Sequence, residues 1–173
     1  MRLMLLRHGE AASADGLADL DRQLTERGRN AAWRMGRYLA AEGLRPDLAL
    51  ISPARRARDT WALAGPALGE VPTRLEARIY ESPPQRLLAI VREAEEGLAT
   101  LLLVGHNPGL QDLLRLLLCD EERYSYGALI GKYPPAGLAV VDLPARAWHE
   151  VSPRSGHLDR LVTPSSLGFG DPD

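Results

Sequence analysis

With a single cysteine, Cys119, among 173 residues, the chain can build neither an intramolecular disulfide framework nor a multi-cysteine metal site. That cysteine follows the leucine-rich run from Leu113 to Leu118, which predicts a buried structural thiol. A catalytic thiol needs an electropositive neighbourhood that such a run does not supply. Charge of one sign is also scarce: 21 Lys and Arg against 23 Asp and Glu leave a formal net charge of -2. This balance speaks against the broad basic surface of a nucleic-acid binder, although it leaves room for arginines gathered in a pocket. Long apolar runs are missing as well. The start, MRLMLLRHGE, is apolar for only a few residues, too short for a signal-peptide core or a membrane span, so a cytoplasmic location without a membrane partner is expected. No internal repeat or low-complexity linker interrupts the chain. Its 45% hydrophobic and 25% charged content suits one globular domain over 1–173, with a tail at 165–173 expected to be mobile.

What is present is an alternation of short apolar runs and helical patterns. Leu3 to Leu6, Asp47 to Ile51 and Thr100 to Val104 are continuous apolar stretches, as expected of parallel strands covered on both faces. Leu138 to Leu143 and Ala147 to Val151, split by Pro144, predict a hairpin. Between them lie helical patterns. One opens at Thr25 and carries Ala32, Met35, Leu39 and Ala40, closed by Gly43 and Pro46. A second runs from Arg55 to Leu68 and is interrupted around Gly65-Pro66. A third starts at Ser82-Pro83-Pro84 and a fourth at Pro108-Gly109. Helices alternating with buried strands imply a layered α/β sheet, not a bundle.

In such sheets ligands bind beyond the carboxyl ends of the strands. The three most apolar runs end in Arg7-His8-Gly9, in Ser52-Pro53-Ala54-Arg55-Arg56 and in Gly105-His106-Asn107. Two histidines and several arginines therefore converge from distant segments on one sheet edge. Guanidinium forks match the oxygens of a phosphoryl group, and a neutral imidazole is a competent nucleophile near neutral pH. Phosphoryl transfer asks mainly for alignment and charge stabilisation. Gly9 and Gly105 would let backbone approach the ligand, and the helix after Pro108 would aim amides at the same pocket.

Arg7-His8-Gly9-Glu10 after an N-terminal strand resembles the signature of the histidine phosphatase superfamily. The stretch Ser52 to Thr60 is similar to the second motif of its first, phosphoglycerate mutase-like branch, and Gly105-His106-Asn107-Pro108 to the third. Within that branch the chain is most similar to short phosphohistidine phosphatases of the SixA type, to which Asp21 to Gly28, Ile79 to Pro83 and Gly156-His157-Leu158 also fit. The resemblance implies a three-layer α/β/α sandwich with a mostly parallel central sheet. It implies a phosphatase that needs no cofactor or metal and forms a covalent phosphohistidine on His8. Arg7, Arg56 and His106 would hold the phosphate, with Gly9, Asn107 and Arg22 as further substrate-binding positions. Arg56, rather than Arg55, falls on the motif's arginine.

The short interval between Thr60 and Thr100 leaves little room for a capping insertion, and an open site would admit a phosphorylated side chain of another protein. A small phosphorylated metabolite is the alternative substrate, and a catalytically silent phosphate-binding module the non-enzymatic one. Where mutase-like members carry an asparagine, this chain has Ala11-Ala12-Ser13-Ala14, which argues against a mutase. Glu81 is the first choice for a proton donor, with Glu76 and Glu10 as alternatives. Arg22 either binds an anionic substrate or pairs with Asp19 or Asp21. Trp33 and Trp61 are expected in the core, and Tyr124, Tyr126 and Tyr133 in a surface loop or on the pocket rim. His149 and His157 have no spacing that suggests a metal.

Overall fold

The fold comes from a computed structural model that describes residues 1–167 apart from 15 and 17. The remainder of the expected tail, 168–173, lies outside the described residues. Its first part, Ser165–Leu167, is a 3-10 turn.

Six strands form one mixed sheet: β1 (Arg2–Arg7), β2 (Leu48–Ile51), β3 (Thr73–Leu75), β4 (Thr100–Gly105), β5 (Leu138–Asp142) and β6 (His157–Val162), in the spatial order β3-β2-β4-β1-β5-β6. The four strands on one side are mutually parallel. The last two, β5 and β6, join antiparallel. Alternate residues of each strand feed opposite faces. Leu3, Leu5, Leu101 and Leu103 pack on one side beneath α3 (Pro84–Arg92) and α4 (Gly109–Leu117). Met4, Leu6, Leu102 and Val104 pack on the other, beneath α1 (Glu26–Ala41) and α2 (Arg55–Ala64). The result is the expected three-layer sandwich. Each fully buried leucine contributes about 1.5–3 kcal/mol relative to exposure, so this two-sided core holds the central strands rigid beneath the site.

The helices begin where their chemistry permits. Thr25 caps α1 by accepting the amide of Gly28 at 3.0 Å, and Gly43 ends it with a left-handed φ of 64°. The Arg55 to Leu68 pattern splits at Gly65-Pro66: α2 stops at Ala64 and Gly65–Leu68 continues as a 3-10 turn. Pro66 has no amide to extend the helical ladder.

Several expectations change. The second hairpin arm is not Ala147 to Val151. There Trp148–Glu150 forms a 3-10 turn, because the Trp148 ring is buried and its Nε1–H donates to the Leu98 carbonyl at 2.8 Å. The partner of β5 is His157–Val162, whose residues are largely exposed or half-buried and so lack an apolar signature. Strand β3 is exposed throughout and lacks one for the same reason. Trp33 is 49% exposed under the Arg37 guanidinium, whereas Trp61 is buried as expected. Cys119 is only half-buried, because it sits between α4 and α5 (Asp120–Ser125) rather than inside either. The tyrosine segment is partly helical, as α5 and α6 (Gly127–Ile130). Tyr133 leaves the surface altogether: it is buried, and its hydroxyl donates to the Leu5 carbonyl. No helix among the described residues is long and apolar enough to cross a membrane.

Candidate active site

Register brings the three strand ends together. Arg7 of β1 lies opposite Gly105 of β4, and Ile51 of β2 opposite Val104, all running the same way. His8, Ser52 and His106 therefore leave the sheet side by side. The His8 amide donates to the Gly105 carbonyl at 3.0 Å and the Ser52 amide to the Val104 carbonyl at 3.0 Å, prolonging the pairing beyond the strands.

His8 is held in one tautomer. Its Nδ1–H donates to the Gly9 carbonyl at 2.6 Å, which leaves the lone pair on Nε2. That nitrogen accepts from Arg56 Nε at 3.3 Å, and the His106 ring stands 5.0 Å away between centroids. His106 is fixed by Ser52, whose hydroxyl lies 2.7 Å from Nε2. Ser52 Oγ also accepts the Ala54 amide at 3.4 Å, which fixes the hydroxyl between the start of α2 and the His106 ring. Burial, followed by Arg56, Arg7 and Arg22, outweighs the Gly9 hydrogen bond and lowers His8 to about 4. Burial, then His8 and Arg56, lowers His106 to about 3. Both rings are neutral near pH 7.

Arg56 sits one residue into α2 with its side chain buried, while Arg55 faces solvent and pairs with Asp59 at 3.5 Å. The structure thus places Arg56, not Arg55, at the site. Its Nη1 donates to the Asp19 carbonyl at 2.6 Å and its Nη2 to the Asp19 carboxylate at 2.9 Å. Arg7 donates from Nη1 to the Tyr133 carbonyl at 2.8 Å, and Asn107 from Nδ2 to the same oxygen at 3.0 Å. Arg7 Nε, His106 Nδ1 and Asn107 Oδ1 are buried with no hydrogen-bond partner among the described residues. Buried polar atoms left in this state are costly, and an oxyanion would satisfy the two donors.

Gly9 and Gly105 are small for a different reason than expected. A Cβ on Gly9 would lie 2.7 Å from the Gly28 carbonyl oxygen, and one on Gly105 would lie 2.8 Å from Ile79 Cγ2. Close packing demands glycine at both. The Gly9 amide is moreover already donated to Thr60 Oγ1 at 2.9 Å, so Gly9 acts by orienting His8 and by admitting α1. Arg22 takes the ion-pair alternative: its Nη1 lies 3.0 Å from Asp19 Oδ1 and its Nε donates to the Ala12 carbonyl.

None of the three acids expected as proton donors has a hydrogen bond to His8, Arg56 or His106 among the described residues. Glu81 is exposed, at a left-handed φ of 47°, and forms no hydrogen bond or ion pair among the described residues. Glu76 receives the amide and guanidinium of Arg78, which lower its pKa. Glu10 accepts the Thr25 hydroxyl at 2.8 Å. Two residues not expected at the site, Asp19 and Tyr80, reach it through Arg56 and His106. Asp19 accepts the Tyr80 hydroxyl at 2.6 Å, and with Arg22 and Arg56 this holds its carboxyl far below the usual range. The same bond and burial push Tyr80 up to about 12. Tyr80 also meets His106 edge-on at 5.5 Å. Their signal is non-local, since Asp19 and Tyr80 lie 61 positions apart.

The two depressed imidazoles carry a consequence for stability. Unfolding returns both to the ordinary value of about 6.5, so the unfolded chain binds more protons between roughly pH 6.5 and 4. Stability is therefore expected to fall as pH drops through that window, by up to about 1.4 kcal/mol per ring per pH unit. Thermal denaturation from pH 7.5 to 4.5 checks this, and His106→Gln should flatten the decline.

Residues 3–83 match the histidine phosphatase superfamily (branch 1). An uncharacterised Mycobacterium tuberculosis protein is 33% identical over 150 residues, which cover 86% of this chain and 92% of that one. The chain belongs to the histidine phosphatase superfamily. Among solved structures, one assigned as the phosphohistidine phosphatase SixA of Agrobacterium tumefaciens is similar at 29% identity and a TM-score of 0.79, covering 94% of this chain and 97% of that one. Another assigned as SixA, from a Nakamurella species, is 26% identical with a TM-score of 0.82, covering 94% and 95% respectively.

Proposed function

We propose that the chain is a phosphatase that hydrolyses protein phosphohistidine through a covalent phosphohistidine on His8, without a metal, in the cytoplasm. The observation that carries this reading is the His8 ring itself: neutral, fixed by Gly9, with Nε2 aimed between Arg56 and the second imidazole. Substrate phosphate exchanges for the Asp19 carboxylate on the Arg56 fork. Arg7, Arg56 and His106 then hold the equatorial oxygens. His8 Nε2 forms a bond to phosphorus as the bond to the leaving nitrogen breaks, and the electron pair of that bond departs with the leaving group. Water next attacks phospho-His8, releasing phosphate and restoring the free ring.

An alkoxide leaving group would need a positioned acid of raised pKa. Asp19 and Glu76 are both lowered and suit that role poorly. The substrate imidazole, once protonated at its other ring nitrogen, departs as the neutral ring, a far weaker base than an alkoxide, and needs no such acid. The similarity to structures assigned as SixA supports the same substrate class.

The test is a panel of phosphohistidine protein and small sugar or nucleotide phosphates. It is run in excess chelator, at a temperature where circular dichroism shows the protein folded. Fast release from phosphohistidine protein is expected. Selective turnover of a small ester would transfer the assignment to a metabolite phosphatase. Tight phosphate binding without any trapped phosphoenzyme would make the chain a binding module.

A further inference from the structure

At the end of the sheet remote from the active site, three side chains of different chemistry meet. Leu118 forms a parallel bridge with Gly156, and the Cys119 amide donates to the Gly156 carbonyl at 3.0 Å. This crossing has a steric requirement: a Cβ on Gly156 would lie 2.8 Å from Val141 Cγ1. The crossing sets Cys119, just before α5, beside His157, the first residue of β6. One turn into α5, Glu122 returns to the same point. Its Oε2 accepts the Leu158 amide at 2.6 Å, and its Oε1 lies 3.3 Å from His157 Nδ1. Cys119 Sγ lies 3.9 Å from that same Nδ1, and the sulfur, nitrogen and carboxylate oxygen all fall within 4.8 Å of one another.

We propose that Cys119, Glu122 and His157 form a zinc-class metal site that pins the start of α5 to β6. A tetrahedral zinc with Zn–S of about 2.3 Å and Zn–N and Zn–O of about 2.0–2.1 Å sets its ligand atoms about 3.6 Å apart for S···N and about 3.3 Å for N···O. For these two pairs the observed 3.9 and 3.3 Å require a shift of a few tenths of an ångström, and the sulfur and carboxylate oxygen, within 4.8 Å of each other, close on the ion by side-chain rotation. A thiolate, an imidazole and a carboxylate together are the donor set of a borderline-soft divalent ion, not of calcium or magnesium. The carboxylate is already oriented by the Leu158 amide, which is how an outer hydrogen bond prepares a ligand. Two segments 38 positions apart supply the ligands, so binding closes a loop of the chain and stabilises it.

The site takes no part in phosphoryl transfer. His157 pairs with Asp142, which pairs with Arg2, at the start of β1; Arg7 ends that strand, about 17 Å away at 3.3–3.4 Å per residue. The site does anchor the beginning of the segment 120–133, whose last residue supplies the carbonyl that holds Arg7 and Asn107.

The experiment uses full-length protein stripped with chelator and titrated with zinc, read by calorimetry, thermal denaturation and protection of the Cys119 thiol from alkylation. One zinc per chain is expected. The midpoint should rise by about 5–10 °C at a hundredfold excess over Kd, and alkylation should slow at least tenfold. Cys119→Ser and His157→Ala should each lose the stoichiometric site while remaining folded. Absence of one-to-one binding by the wild type overturns the proposal. So does binding that persists in both variants, or a thiol that zinc leaves equally reactive. These readouts do not depend on turnover, so they fail or succeed separately from the phosphatase reading.

Discussion

Replacing His8 by alanine is expected to remove turnover on every substrate, by a factor on the order of 10^4 or more, as deletion of a covalent nucleophile does. No other described group in the cluster can take its place. His106 has its Nε2 engaged by Ser52, and no arginine among the described residues is bonded to its ring as Arg56 is to His8 Nε2. The fold should survive, because the core residues of β1 beneath it, Leu3 to Leu6, are untouched. Steady-state rates and phosphoenzyme trapping on wild type and variant measure this, with circular dichroism as the folding control. Because phosphohistidine is acid-labile, the quench must be a denaturant at alkaline pH. Retention of even a hundredth of the wild-type rate would place the nucleophile elsewhere.

Arg56→Ala carries the second large effect, a loss of roughly 3 kcal/mol of transition-state stabilisation, or a hundredfold or more in kcat/KM. Three contacts disappear at once: those to His8 Nε2, to the Asp19 carbonyl and to the Asp19 carboxylate. The first aligns the nucleophile and the others show where an oxyanion would be gripped. Lysine should recover little, because a single ammonium cannot reproduce the fork. The effects of Arg56→Ala and His8→Ala should be far from additive, since both act on one step. An Arg56→Ala enzyme within fivefold of wild type would show that Arg7 and His106 bind the phosphate alone.

Much of this site is legible in the chain because it is built from strand ends. Buried parallel strands announce themselves as apolar runs, and the residues just past them, Arg7-His8, Ser52 and Gly105-His106, are brought to one edge by topology. The choice between Arg56 and Arg55 also survives, since a helix turns adjacent residues to different sides. The features that escape are exposed or non-local. β3 and β6 bury little and so carry no hydrophobic pattern. Trp33 is apolar enough for the core but settles under Arg37. Tyr133, expected in a surface loop or on the pocket rim, has its ring buried against Leu5 while its carbonyl holds Arg7 and Asn107. Asp19 and Tyr80 join the site through a bond between remote segments. Resemblance alone points to Glu81, which is exposed.

The alternation of side chains along β1 has a last consequence. Odd positions of the strand belong to the layer of α3 and α4, even positions to that of α1 and α2. Parity continues past the strand's end: Arg7 engages Tyr133 of the first layer, and His8 engages Arg56 of the second. Two neighbours in sequence thus work as opposing jaws, each braced by its own half of the protein. Inserting one residue between Leu6 and Arg7 would exchange the jaws, leaving both side chains present and the grip reversed.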